Sequence, residues 1–301
     1  MLDFSLDSLF PEHGRHEFLE NYLGHTPVIQ HDHPYLKELS QLPYLSSIDE
    51  LFQSWPDQVN AYQKGTADEV NSLEVSSSEA QKLYKDQGAG LFFDDPNRFI
   101  PELNPYLEQL RTELGLAPFT YSRSLIYLIA AGKGTHAHFD QNINFIFQIK
   151  GTKKWWLAPN ETVANPLERY TIGHEASPEL SSYAERPFPQ EFPTEKAIEI
   201  ELRPGSLLFL PKGVWHKTFA ESGSLSLNFT FTPPSWADLL LSLLRSRLIQ
   251  SPHWRETAHL LGDSEYGPHS EAHFQQLIQE LSTDVQSWKA DEILEFILKQ
   301  D

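Results

Sequence analysis

The sequence predicts a mainly β fold with flanking helices, a double-stranded β-helix (jelly roll) followed by a C-terminal helical segment. Between about residues 119 and 233, seven or eight short apolar segments alternate with turn residues, which is typical of a jelly roll. Before this stretch helical and strand patterns are mixed, and after Pro233 only helical spacing occurs. We therefore expect one domain over residues 1–233 and a helical region over residues 234–301. Within the domain, an N-terminal α/β region spans about residues 1–118 and the jelly-roll core about residues 119–233.

The N-terminal α/β region is predicted to carry helices and short strands in turn. Apolar residues at helical spacing before Gly24 predict a first helix, and Pro27–Gln30 is typical of a short strand. The clearest helix begins at Asn104, the expected N-cap, has a proline in its first turn and ends at a glycine. His31 and His33 lie in a polar turn, which indicates solvent exposure. The remaining predicted elements are a helix capped at Ser47, a helix within residues 75–84 and a strand with a flexible approach over residues 88–93.

The jelly-roll core is predicted to consist of buried strands joined by turns and one long excursion. Residues 143–149 are apolar on both faces except at Asn144 and Gln148, as a sheet covered on both sides requires. Residues 132–134 are predicted to form a glycine turn. Residues 159–195 are rich in Pro, Glu and Ser without periodicity, so we expect a long excursion there. The other predicted strands are Tyr121–Ala131, Lys153–Leu157, Ala197–Leu202, Leu207–Leu210 and Leu225–Phe231.

Three helices are predicted after Pro234, over residues 236–249, 272–281 and 292–298. The first carries leucines on more than one face, and an uncovered apolar face is unfavourable in water. We therefore expect a homodimer through the C-terminal helices. The alternative is that residues 268–300 cover these leucines within one chain.

The composition argues against several classes of function. The chain has no cysteine, so disulfides, thiolate metal sites and cysteine nucleophiles are excluded. Neither a signal peptide nor a membrane-spanning run is recognisable, so we expect a cytoplasmic protein with no membrane partner. A formal net charge of −19 without a stripe of Lys and Arg argues against nucleic acid as a partner. It suits a neutral or basic polypeptide.

Two stretches contain the candidate metal ligands, Thr135–Asp140 and Gly205–His216. In the first, His138 and Asp140 are two residues apart, so on a strand both side chains point to the same side. The second is a β segment and a Pro-x-Gly turn that lead to His216. Two histidines and one carboxylate form the facial triad of Fe(II) oxygenases, which leaves three metal positions open. The sequence therefore predicts an Fe(II) site formed by His138, Asp140 and His216.

These motifs carry a resemblance to a known family. The spacing Gly205-x5-Pro211-x-Gly213-x2-His216 matches the second signature of cupins, except that Ala220 stands where that signature has asparagine. With the H-x-D stretch and Lys153 added, residues 120–233 resemble JmjC-type (cupin-like) 2-oxoglutarate oxygenases. The resemblance is to the asparaginyl hydroxylase called factor inhibiting HIF and to ribosomal oxygenases.

The resemblance implies 2-oxoglutarate as cosubstrate and suggests the residues that bind it. Lys153 follows a glycine turn and matches the lysine that binds the far carboxylate in this family. Thr135 matches a threonine that shares this contact. The remaining candidates for the cosubstrate pocket are Asn144, Asn228 and Tyr127. The implied reaction decarboxylates 2-oxoglutarate to succinate and CO2 and hydroxylates an unactivated C–H.

Alternatives remain open at several of these residues. The H-x-H of ordinary cupins is also present, and it would give a site without 2-oxoglutarate from His136, His138 and His216. A slip of one residue in the strand would face Lys154 inward in place of Lys153. Thr135 also fits a turn, and Asn144 could serve only as a partner for backbone groups in the core.

We expect an enzyme that hydroxylates a protein or peptide side chain, because the resemblance is to hydroxylases of proteins. One alternative is a small-molecule or modified-nucleoside hydroxylase of the same fold. Another is a non-catalytic cupin-like binding or regulatory protein. A histone demethylase is disfavoured, because no zinc finger or chromatin-reader segment accompanies the domain.

Overall fold

A computed structural model describes residues 3–62 and 71–298 of the chain. Its contacts divide the chain into two compact units. The first contains residues 1–116 and 120–233, and the second contains residues 117–119 and 234–301. A catalytic role for residues 1–233 and a dimerisation role for residues 234–301 stay predictions.

Two antiparallel sheets form the core of the first unit. Their strands are β1 (Val28–Gln30), β2 (Val59–Tyr62), β3 (Ser72–Val75), β4 (Leu91–Asp94), β5 (Tyr121–Ile129), β6 (Lys133–Phe139), β7 (Ile143–Lys150), β8 (Lys153–Ala158), β9 (Tyr170–Thr171), β10 (Ile198–Leu202), β11 (Leu207–Leu210), β12 (Trp215–Ala220) and β13 (Ser224–Thr232). The larger sheet has the order β1-β11-β7-β13-β5-β4-β2-β3, and the smaller sheet has the order β10-β8-β12-β6-β9. The mainly β jelly roll predicted from the sequence is confirmed.

The strands β7 and β13 are buried on both faces, as their apolar composition predicts. On one face, phenylalanines such as Phe145 and Phe229 join an aromatic core with the N-terminal helices. Phe4 stacks on Tyr106 there, with ring centroids 4.1 Å apart. Successive strand residues point to opposite faces, so Asn144 and Asn228, which are next to these phenylalanines in sequence, point into the interior of the jelly roll.

Helices flank the sheets and form most of the second unit. They are α1 (Leu6–Leu9), α2 (Gly14–Leu23), α3 (Leu36–Leu39), α4 (Ile48–Ser54), α5 (Ser77–Gln87), α6 (Asn104–Glu113), α7 (Pro178–Ser182), α8 (Trp236–Leu248), α9 (Gly267–Val285) and α10 (Ala290–Leu298). Ser47 caps α4 as predicted, because its hydroxyl accepts a hydrogen bond from the Glu50 amide. Within the described residues, the helices are not long and apolar enough to span a bilayer.

Two predictions for the N-terminal region are wrong. Asn104 is the first residue of α6 and does not cap it, because a 3-10 turn over Pro101–Leu103 already leads the chain into the helix. Its side-chain amide instead donates to the carbonyl of Asn97 at 3.2 Å. His33 is buried, with 4% of its surface exposed, because its ring reaches back to the carbonyl of Ser8 at 3.0 Å.

The turn predicted at residues 132–134 is shorter than expected. Lys133 and Gly134 already belong to β6. Gly134 lies so close to β12 that a Cβ atom there would be 1.8 Å from the carbonyl oxygen of Thr218. Gly134 therefore provides close approach between two strands, whereas Gly132, at φ +74°, provides the turn.

The predicted excursion after residue 158 contains only β9 and the short helix α7 among its described elements. It is nevertheless packed, because it forms a small core of its own against β6 and β12. Tyr170 and Leu180 of the excursion meet Phe139 and Trp215 of these strands. The excursion is thereby held beside the end of β6 where the H-x-D motif lies.

Candidate active site

A cavity lies between the inner faces of the two sheets and is partly open to solvent. All eight residues predicted for metal or cosubstrate contacts line it. They are Tyr127, Thr135, His138, Asp140, Asn144, Lys153, His216 and Asn228. The residues singled out in the sequence therefore meet in one cavity.

His138, Asp140 and His216 meet at one place in the cavity. His138 and His216 are directly opposite each other on β6 and β12, and Asp140 follows the last residue of β6. The Asp140 Oδ2 lies 3.9 Å from His138 Nε2 and 3.6 Å from His216 Nε2. Neighbouring ligands of a six-coordinate ion with bonds of about 2.1 Å lie about 3 Å apart. The three candidate ligand atoms all lie within 4.8 Å of one another, so shifts of at most about 2 Å would bring them to the spacing of ligands on one ion.

Backbone contacts orient both imidazoles for metal binding. The Nδ1 of His138 lies 2.7 Å from the carbonyl oxygen of His136, and the Nδ1 of His216 lies 2.9 Å from that of Val214. A ring that donates from Nδ1 keeps the lone pair of Nε2 for a metal. Burial lowers the pKa of His216, and burial together with the charge of Arg169 lowers the pKa of His138. Both rings are therefore neutral at neutral pH, as ligands must be.

A β-bulge in β6 decides which side chains reach the cavity. The pairing steps from His138–His216 to Thr135–Thr218, so three residues of β6 span the length of two on β12. Thr135 and His138 both face inward as a result, and His136 is exposed. Among the described residues, the groups placed to bind one metal are His138, Asp140 and His216 alone. The H-x-H set that includes His136 is not assembled.

The register of β8 faces Lys153 into the cavity. Lys153 is 4% exposed, and its Nζ lies 5.7 Å from the centre of the Trp155 ring. Lys154 points the opposite way and forms a 2.7 Å ion pair with Glu221 at the surface. The slipped register is therefore not found.

The other predicted residues lie around the same space with defined partners. The hydroxyl of Thr135 lies 2.9 Å from that of Thr218, and the side-chain oxygen of Asn144 accepts a 2.8 Å hydrogen bond from Thr230. Three buried polar atoms that line the cavity have no hydrogen-bond partner within the described residues: Asn228 Oδ1, Ser226 Oγ and Trp155 Nε1. Buried polar atoms are rarely left unsatisfied, so the Ser226 and Trp155 donors and the buried Lys153 fit an anionic ligand, and Asn228 Oδ1 fits a hydroxyl or water beside it.

Sequence reasoning missed several residues of this site. Trp155, Thr218 and Ser226 follow from the period of two along β8, β12 and β13, because each lies two residues from an identified site residue. Arg169 has no such signal, since it lies in the aperiodic excursion. Its Nη1 is nevertheless 3.5 Å from Asp140 Oδ1.

Comparison with known proteins supports the interpretation of the motifs. A family model described as "JmjC domain" matches residues 98–239. The "Uncharacterized protein YxbC" of Bacillus subtilis (strain 168) is 38% identical over 229 residues, which cover 73% of this chain and 68% of that protein. The chain belongs to the JmjC domain family. Its family is one of Fe(II)- and 2-oxoglutarate-dependent oxygenases. Membership of this family confirms the prediction of Fe(II) and 2-oxoglutarate as cofactors.

Two further similar proteins carry names that describe an activity. The "Bifunctional lysine-specific demethylase and histidyl-hydroxylase NO66" of Culex quinquefasciatus is 26% identical, over 64% of this chain and 28% of that protein. The chain therefore spans little more than a quarter of that relative. A solved structure titled as "YcfD a Ribosomal oxygenase from Escherichia coli in complex with Cobalt and 2-oxoglutarate" aligns with a TM-score of 0.54 at 18% identity. It covers 88% of this chain and 65% of that chain, and this likeness concerns the fold.

Proposed function

We propose that this JmjC protein hydroxylates an unactivated C–H bond on a protein or peptide side chain, with Fe(II) and 2-oxoglutarate. The observation that carries the proposal is one cavity with a His-Asp-His cluster at one end and a buried lysine farther in. Named relatives support a protein substrate, since one is called a histidyl-hydroxylase and another a ribosomal oxygenase. The net charge of −19 also favours a basic polypeptide.

His138, Asp140 and His216 are proposed to hold the iron through Nε2, Oδ2 and Nε2. Bound iron supplies the oxidising chemistry that couples decarboxylation of 2-oxoglutarate to insertion of one oxygen atom into a C–H bond. With these three side chains as its ligands, the iron would have coordination positions left for cosubstrate and dioxygen. The protein's part is to hold these ligands and to exclude water from the reacting atoms.

Lys153 is proposed to bind the far carboxylate of 2-oxoglutarate, with Thr135 as a second donor. Along β12, His216 pairs with Leu157 and Ala220 pairs with Lys153, so the lysine lies four residues from the metal ligand. Four strand residues span about 13 Å. A five-carbon dicarboxylate and an extended lysine side chain cover this distance together.

Asn144, Asn228 and Tyr127 are proposed to border the cosubstrate from the larger sheet. Asn228 Oδ1 accepts no hydrogen bond from the described residues, so it is available to a hydroxyl or water that accompanies the ligand. Asn144 is oriented by Thr230, which leaves its amide NH2 as a donor towards the cavity.

The test is turnover by the 301-residue chain with Fe(II), 2-oxoglutarate and a library of basic proteins and peptides. We expect succinate formation stimulated by a subset of these, with products heavier by one oxygen, and we expect His216→Ala to lose both. A mass loss corresponding to one methyl group would indicate demethylation instead. Stimulation by nucleosides or small molecules but by no polypeptide would contradict the protein substrate. Failure to bind either metal or 2-oxoglutarate would indicate a non-catalytic protein.

We also propose that the chain forms a homodimer through its C-terminal helices. Helix α8 leaves Trp236, Leu240 and Leu241 more than half exposed, while Leu243 is buried. A neighbouring apolar set of this kind is unfavourable in water, and a two-fold pairing of α8 would cover it in both copies.

A further inference from the structure

The carboxylate of Asp140 has two oxygens with different surroundings. Oδ2 faces the Nε2 atoms of His138 and His216, at 3.9 and 3.6 Å. Oδ1 lies 3.5 Å from the Nη1 of Arg169. The side chains of Asp140 and Arg169 are only 18% and 15% exposed, so water screens this pair weakly.

Backbone pairing brings Arg169 to this position although it lies in the excursion. Arg169 directly precedes β9, in which Thr171 pairs with His138 of β6. The amide of Ile172 adds a 2.9 Å hydrogen bond to the carbonyl of Ala137. The Arg169 Nε also lies 3.5 Å from Thr171 Oγ1, which helps to hold the guanidinium plane. The arginine is therefore fixed by the same strands that carry the metal ligands.

We propose that Arg169 is a positioning residue that keeps Asp140 a one-oxygen ligand of the metal. By holding Oδ1, the guanidinium prevents the carboxylate from turning both oxygens to the ion. The metal then keeps three positions for cosubstrate and dioxygen, whereas a two-oxygen carboxylate would occupy one of them. This inference rests on the metal site of the proposed function, but not on the identity of the substrate.

Two physical effects of Arg169 on metal affinity oppose each other. Its positive charge repels the ion, which by itself would weaken binding. Its contact orients the ligand, and partners that orient metal ligands typically contribute about 10- to 100-fold in metal affinity. The proposal requires the orienting effect to be the larger one. Removal of Arg169 should then weaken metal binding, whereas a dominant charge repulsion would make it tighter.

The test is titration of the metal-free 301-residue chain with Co(II), followed by visible absorption in the absence of 2-oxoglutarate. We expect Arg169→Ala to bind Co(II) at least about 10-fold more weakly and with an altered absorption spectrum, because the coordination of the ion changes. Arg169→Lys and Arg169→Gln, which keep a donor, should recover part of the affinity. Arg186→Ala is the matched control, since Arg186 lies in the same excursion, 65% exposed, and pairs with Glu161.

The outcomes separate this inference from the proposed function. Unchanged or tighter Co(II) binding by Arg169→Ala, with an unchanged spectrum, would overturn the positioning role even if His216→Ala loses the metal. The metal site itself would fail if the unaltered chain bound no Co(II) or if His216→Ala bound it as well. Thermal unfolding of each metal-free variant verifies that a loss of affinity is not a loss of folding, and the Lys and Gln variants preserve the test if Ala perturbs the excursion.

Discussion

At the scale of single residues, the imidazoles of the proposed metal site are oriented before a metal arrives. The carbonyls of His136 and Val214 fix the rings of His138 and His216, and burial lowers the pKa of both. A metal near neutral pH therefore displaces no proton from either ring, and little rotamer freedom is lost on binding.

Substitutions at the metal ligands test the facial triad. Asp140→Ala and His216→Ala should each abolish iron-dependent succinate formation and Co(II) binding. His136→Ala should keep most of both, because His136 is exposed and supports His138 through its backbone carbonyl, which alanine retains. If His136→Ala lost the metal while Asp140→Ala kept it, the site would be that of an ordinary cupin.

The two neighbouring lysines of β8 form a matched pair for the cosubstrate. Lys153→Ala should raise the 2-oxoglutarate concentration needed for half-maximal turnover by about 30-fold or more, since loss of one partner of a buried charge pair typically costs about 2–5 kcal/mol. Metal binding should persist. Lys154→Ala should change little, because its partner is the exposed Glu221. Equal effects in the two variants would mean that Lys153 does not bind the cosubstrate.

His33 makes folding stability depend on pH. Burial lowers its pKa below the ordinary value of 6.5. Between its ordinary and its lowered pKa, His33 is protonated in the unfolded chain but not in the folded chain. The free energy of unfolding therefore falls as pH drops below about 6.5, and it levels off below the lowered pKa. One such group contributes at most about 1.4 kcal/mol per pH unit.

Urea unfolding of the metal-free chain between pH 7.5 and 5 measures this contribution. His33→Gln, which can still donate to the carbonyl of Ser8, should show a smaller loss of stability on acidification than the unaltered chain. His16→Gln is the control, because its side chain is 91% exposed. Identical pH dependence in all three proteins would contradict the contribution of His33.

At the scale of elements, the pairing of β6 with β12 assembles the site. The bulge between the His138 and Thr135 pairs turns a proposed metal ligand and a proposed cosubstrate-binding residue to the same side of one strand. Without the extra residue, regular alternation would place side chains three apart on opposite faces. Gly134 permits this pairing, because it lies against the backbone of Thr218.

Gly134→Ala should therefore damage both stability and the cosubstrate site. The added methyl group would force the two strands apart, with an expected cost of about 1–3 kcal/mol or more in the free energy of unfolding. The apparent affinity for 2-oxoglutarate should fall as Thr135 moves. Gly262→Ala is the control, since a Cβ atom there meets nothing within 4 Å. Comparable urea midpoints in both variants would show that β6 and β12 tolerate separation.

At the scale of the whole molecule, the exposed leucines of α8 predict self-association. One chain has a mass of 34.6 kDa, so light scattering at micromolar concentration should give about twice this value. Leu240→Arg should split the dimer, because it places a charge in the apolar contact. Ser242→Arg adds the same charge at another exposed position of α8 and serves as the control. A mass near that of one chain for the unaltered protein would refute the dimer.

The sequence alone determined the fold class and the H-x-D motif, and it favoured Lys153 over Lys154 as the inward lysine. Periods of two mark the strands, among which Leu207–Leu210 has the predicted bounds, and the two-residue spacing of His138 and Asp140 places both side chains on one side of the chain at the end of β6. These features are local, because alternation and short spacings record which side of a strand a residue faces. The domain roles and the functions of individual site residues stay predictions.

Tertiary structure decided what local patterns do not record. The bulge that excludes His136 depends on the register between β6 and β12, which lie some eighty residues apart in sequence. His33 is buried because the carbonyl of Ser8 lies beside it, although its own surroundings in the sequence are polar. Arg169 reaches Asp140 only through the pairing of β9 with β6, within a segment that has no periodicity. In each case the deciding partner is distant along the chain, so its effect becomes visible only when the sheets have formed.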